Sequence, residues 1–91
     1  MTISQNNTNQ IELFEKVKNV AARTFKISPE IVTPQAALGQ LPGWDSLGHL
    51  ALMMEVEREF AVRFQTDKIN RPVNIGEICE LLKEIQSIDK H

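Results

Sequence analysis

The chain has 91 residues, enough for one small domain and too few for two. Its 42% hydrophobic content is that of a globular protein, and a net charge of −2 argues against a nucleic-acid binder, which needs a basic face to meet phosphates. The longest apolar run, Leu50–Met54, is far short of the about 20 residues of a membrane span, so none is expected.

A single cysteine, Cys79, excludes an internal disulfide framework, and with only His49 and His91 beside it no structural zinc set can be assembled. The polar opening (Thr2, Ser4, Gln5, Asn6, Asn7, Thr8) lacks the apolar stretch of a signal peptide, which predicts a cytoplasmic domain. Residues 1–8 read as a flexible leader.

The first helix is predicted to start near Asn9, with Glu12 three residues on in a capping-box spacing. Ile11, Phe14, Val17, Val20, Ala21 and Phe25 then recur at helical steps. A long connection follows, punctuated by Pro29, Pro34, Gly39, Pro42 and Gly43. The middle helix is predicted over 46–60. Val62 and Phe64 suit a short extended piece, and a short helix follows over 66–70, with Thr66 as cap and Ile69 as anchor. After Pro72, Asn74 caps the last helix and Glu77 sits three residues on. Its stripe is Ile75, Ile78, Cys79, Leu82, Ile85 and Ile88, and residues 89–91 form a tail. Cys79 on that stripe reads as a packed thiol. The predicted fold is all-α: a four-helix bundle of three main helices and one short one, with a long first loop, in a domain over 9–88.

The middle helix carries two apolar faces. His49, Leu52, Met53, Val56 and Phe60 share one arc, the expected core stripe. Leu47, Leu50, Ala51 and Met54 share another. Either this helix is central and covered on both sides, or the second strip is an exposed docking patch beside Ser46.

Ser46 sits where Pro42 and Gly43 end the loop and the helical pattern begins. By itself it reads as a helix cap. A phosphate attached there would meet the positive end of the helix.

Asp45-Ser46-Leu47 resembles the Asp-Ser-Leu signature of acyl carrier proteins. The resemblance extends over Ile31-Val32-Thr33-Pro34, over Gly43 to Leu50, over the acidic stretch Glu55 to Phe60, and over Asn74 to Ile78, roughly residues 9–88 in all. It implies that Ser46 carries a covalent 4′-phosphopantetheine arm derived from coenzyme A, whose thiol holds an acyl group as a thioester. It implies a protein that is not an enzyme. It also implies that Asp45 helps a phosphopantetheinyl transferase recognise the site, and that Leu47, Leu50, Met54 and Glu57 contact acyl-transferring or acyl-activating enzymes. A carrier must keep that strip free, which favours a monomer.

Fatty-acid carriers commonly have acids where this sequence has Gly48, Ala51 and Arg58, and Trp44 departs from their usual pattern. These departures point to a specialised pathway, such as polyketide, lipid or other secondary biosynthesis. Packing against the loop is the expected role of Trp44, and His49 is expected near the top of the core stripe or beside the arm. Two alternatives stand beside this reading: an aminoacyl or peptidyl carrier, and an unmodified helical interaction module with Ser46 as a cap. A hydrolase does not fit. Trp44 occupies a glycine position of the nucleophile elbow, and adjacent Asp45 and Ser46 cannot flank a histidine.

Overall fold

A computed structural model describes residues 2–89 of the chain, with side-chain surroundings over 11–85. The elements are α1 (Thr2–Phe25), a 3-10 turn (Pro29–Ile31), α2 (Ser46–Phe60), α3 (Thr66–Ile69) and α4 (Ile75–Asp89). The described residues contain helices and a single isolated β-bridge, Ala37 with Asn74, and no named strand. The all-α bundle expected from the sequence is the fold observed.

α1 packs against both α2 and α4. Val17, Val20 and Ala21 of α1 meet Leu52, Met53 and Val56 of α2, and Ile75, Ile78 and Leu82 of α4, in one buried cluster. The long loop adds Val32, Ala36 and Trp44, and Phe64 closes the cluster from the segment after α2. With few aromatic side chains to fill it, a domain this small needs such interlocking of aliphatic side chains.

Several local expectations are corrected. α1 runs from Thr2, so Asn9 lies inside it rather than capping it. Once the packed stretch of α1 is formed, adding each further turn costs little, because propagation gains one hydrogen bond per residue fixed. Ile11 is 64% exposed while Leu13 is buried, a rotation of the stripe set by how α1 rolls onto its neighbours. Thr66 is the first residue of α3 and Gln65 precedes it as cap, without a side-chain hydrogen bond. Leu81 joins the α4 stripe and Cys79 is only partly buried. Asp89 ends α4, and the rest of the expected tail, like Met1, lies outside the described residues.

The C-terminal ends of α1 and α2 are closed by the chain's own groups. α1 and α2 each finish on a left-handed non-glycine residue, Lys26 and Ala61. The following amides turn back, Ile27 N–H to the Ala22 carbonyl at 3.0 Å and Val62 N–H to the Glu57 carbonyl at 3.1 Å, as in Schellman caps.

Candidate functional site

The two long helices that begin after loops, α2 and α4, begin differently. At α4 the long loop closes the end. Ile75 N–H donates to the Ala36 carbonyl (3.0 Å) and Gly76 N–H to the Pro34 carbonyl (2.9 Å). Glu77 N–H donates to Asn74 Oδ1 (2.8 Å) and Ile78 N–H to the Asn74 carbonyl (3.2 Å). Asn74 is thus the cap read from the sequence. Glu77 does reach back, but its Oε1 accepts from Val73 N–H at 2.8 Å, one residue before the cap. The amides of Ile75, Gly76 and Glu77, which a helix start normally leaves open, are all taken, and Ile78 begins the regular helical ladder.

At α2 only the third and fourth amides are closed. Asp45, in extended backbone, is the cap: its Oδ1 accepts from Gly48 N–H (2.8 Å) and its carbonyl from His49 N–H (2.7 Å). Ser46 is therefore the first helical residue and not the cap. Either side chain can cap, and the extended geometry at Asp45 assigns the task to it. Among the described residues no acceptor serves the amides of Ser46 or Leu47, and no partner holds the Ser46 hydroxyl, which is exposed. An accessible hydroxyl thus stands at the positive end of a 15-residue helix with its first amides open.

The loop before Ser46 is pinned from below. Trp44 is fully buried, and its ring lies 6.0 Å from the Phe25 ring. The indole Nε1–H donates to His49 Nδ1 at 3.0 Å, with the two rings nearly parallel. Indole can only donate, so Nδ1 must accept and the imidazole proton sits on Nε2. That N–H donates to the Ile69 carbonyl at 2.9 Å, joining the loop, α2 and the end of α3. The expected packing role of Trp44 and the core position of His49 are both observed.

The loop also lies directly on α2. A Cβ on Gly48 would overlap the Gly43 carbonyl oxygen, so no side chain fits at position 48 while this loop conformation holds. Gly43 itself has φ +86°, which favours glycine, while a Cβ there would make only ordinary contact with Phe25.

The second apolar strip of α2 is uncovered. Leu47 is 81% exposed, Met54 59% and Leu50 46%, so a helix covered on both sides is ruled out. Glu57 has a local task the sequence did not reveal. It is half-buried and its Oε2 accepts from Phe64 N–H at 2.7 Å, bracing the segment after α2. Glu55 and Glu59 face α1, where Arg23 lies 4.0 Å and 3.6 Å from them. Arg58 is 3.4 Å from Glu55.

A sequence-family model described as phosphopantetheine attachment site matches residues 15–82. The chain belongs to the acyl carrier protein family. It is 30% identical over 74 residues to an acyl carrier protein of Thermosynechococcus vestitus, covering 81% of this chain and 91% of the relative. An acyl carrier protein of Helicobacter pylori (strain G27) is 29% identical over 72 residues, covering 79% of this chain and 92% of the relative.

This carrier is accordingly not an enzyme, and its cofactor is a covalently attached 4′-phosphopantetheine. The residues present fit that group: a phosphodiester needs an accessible hydroxyl and a surrounding that welcomes an anion, and the open start of α2 offers both. The carrier's one thiol of its own, on Cys79, is pushed up from 9.0 to about 11, chiefly by burial, with Glu80 adding to the shift and Lys83 opposing it. Among the described residues no helix is long and apolar enough to cross a membrane, and no group of three or more His, Cys, Asp or Glu is placed to hold a metal ion.

Proposed function

We propose that Ser46 is the residue to which the phosphopantetheine is attached, and that the loaded carrier presents acyl thioesters to enzymes of a specialised biosynthetic pathway. The observation that carries this reading is the open N-terminus of α2, with its exposed hydroxyl, beside the fully closed N-terminus of α4. In the attachment step the Ser46 Oγ–phosphorus bond forms as the diphosphate of coenzyme A breaks. Adenosine 3′,5′-bisphosphate leaves, and the hydroxyl proton passes to the transferase or to water. When bound, the group supplies a terminal thiol that holds the cargo as a thioester.

The chain's own residues do the rest. Asp45 fixes the start of α2, whose first residue is Ser46. The buried Trp44 holds the loop in place beneath it. Leu47, Leu50 and Met54 offer the contact surface, and tethering raises the effective concentration of cargo for each enzyme that docks. Glu57 stands at the flank of that surface through its bond to Phe64. A monomer, in the cytoplasm, keeps the strip available. The uncovered strip and its low acidity support a dedicated partner set rather than a general one.

The test is incubation with coenzyme A and a promiscuous phosphopantetheinyl transferase, followed by intact mass measurement. A gain of one phosphopantetheine, lost in Ser46→Ala, is expected. A folded protein that gains nothing with several transferases, or a Ser46→Ala variant that is still modified, overturns the assignment.

A further inference from the structure

Resting on the carrier reading above, we infer that His49 is a positioning residue for modification of Ser46, and that through it the attachment loop and α3 loosen or tighten together. The hydrogen bonds around it form a closed circuit. Trp44 Nε1–H donates to His49 Nδ1, and His49 Nε2–H donates to the Ile69 carbonyl. From Ile69 the chain runs on to Val73, whose carbonyl accepts from Leu38 N–H at 2.8 Å. Gly39 N–H donates to the Trp44 carbonyl at 2.8 Å and brings the circuit back to its start. Leu38, Gly39 and Trp44 belong to the loop that ends at Asp45 and Ser46. Ile69 and Val73 belong to α3 and the connection after it.

The two sides of this circuit are held unequally. Trp44 is buried and stacks on both Phe25 and His49. α3 is four residues long and contains no buried residue, and Ile69 is only partly buried against the core. Among the described residues, His49 gives the only side-chain hydrogen bond that reaches α3 from another element. A helix of one turn draws little stability from its own hydrogen bonds, so this tether matters to it. The bond at Nε2 also fixes which nitrogen of the ring carries the proton, and hence that Nδ1 faces the indole as an acceptor. When α3 lifts away, the ring loses the partner that orients it and Trp44 is held less well. Trp44 directly precedes Asp45, whose extended backbone starts α2. A loop loosened there must be ordered again when a transferase binds, which weakens binding of the carrier.

The experiment uses the full chain and reads its single tryptophan. Hydrogen exchange of the indole N–H, followed by NMR, reports the bond to His49. α3 is loosened at two exposed positions by Thr66→Gly/Asp67→Gly. His49→Asn cuts the link on the α3 side alone: the shorter amide keeps an acceptor near the place of Nδ1 but does not reach the Ile69 carbonyl. Loosening α3 should speed indole exchange about threefold to tenfold with His49 present and have little effect in the His49→Asn background. With coenzyme A and a promiscuous transferase, the KM for the carrier should rise by a similar factor when α3 is loosened, with kcat little changed. A general loss of stability would instead act equally in both backgrounds. Equal effects in the two backgrounds, or an indole exchange rate and a KM that do not respond to α3, overturn the inference while leaving attachment at Ser46 intact. If His49→Asn does not fold, the backbone amide of Leu82, in the buried stripe of α4, serves as the reference for global opening. An indole N–H that quickens no more than that amide then overturns the inference. Failure of wild type to be modified overturns the attachment itself, and the indole measurement still decides the coupling.

Discussion

Replacing His49 by leucine keeps a side chain of similar bulk but removes both hydrogen bonds of the buried imidazole. The Trp44 indole N–H is then left in the core without an acceptor, and the Ile69 carbonyl loses its donor. Each unsatisfied group costs about 1–3 kcal/mol, the indole towards the upper end because Trp44 is 1% exposed. The carbonyl is partly buried, so water can serve it and its cost falls at the lower end. Together they amount to about 2–4 kcal/mol, against about 5–14 kcal/mol for a whole domain of this size. Urea unfolding, followed by far-ultraviolet circular dichroism and by emission of the single tryptophan, measures the loss. His49→Gln should recover much of it, since an amide can accept from the indole and donate to the carbonyl. A His49→Leu variant within about 0.5 kcal/mol of wild type would refute the reasoning, because it would mean that neither group depends on the ring.

Three further outcomes concern Gly48 and Cys79. Gly48→Ala should destabilise by about 1–3 kcal/mol and slow modification of Ser46, because the Gly43 carbonyl and its loop must move. Helix propensity alone predicts a gain of about 1 kcal/mol from the same change, so the sign of the shift in Tm decides between the two. For Cys79, alkylation of the folded protein at pH 8 should be slow, quicken as the pH approaches 11, and become fast on unfolding. The raised thiol also sets a direction for stability: above pH 9 the unfolded chain releases a proton that the folded chain retains up to about 11, so stability declines across that window and is insensitive to this group below it. Unchanged alkylation rates between folded and unfolded protein would contradict the burial of the thiol.

The elements were legible because local signals agreed with tertiary demand. Pro42 and Gly43 mark the end of the loop, Asn74 and Glu77 mark the start of α4, and the apolar steps of α2 separate its buried arc from its exposed strip. What escaped the sequence depends on how the chain folds back. Asp45 and Ser46 are both competent caps, and the extended backbone at Asp45 chooses between them. Glu57 reads as a surface acid until the chain turns under α2 and brings the Phe64 amide to it. The bond from His49 to Ile69 spans 20 residues, and no spacing rule announces it. Ile11 and Leu13 are equally apolar, and only the roll of α1 decides which is buried.

The contact between the Gly43 carbonyl and Gly48 makes two stretches of chain inseparable for design. A chimera that takes the Ser46 helix from another carrier while keeping this loop would import a side chain at position 48 and force the junction apart. One that takes the loop alone would need a bare backbone on the recipient helix. Residues from Gly39 to Gly48 therefore form a cassette that transfers whole, and because the obstacle at position 48 is a backbone oxygen, no change of side chain at position 43 relieves it.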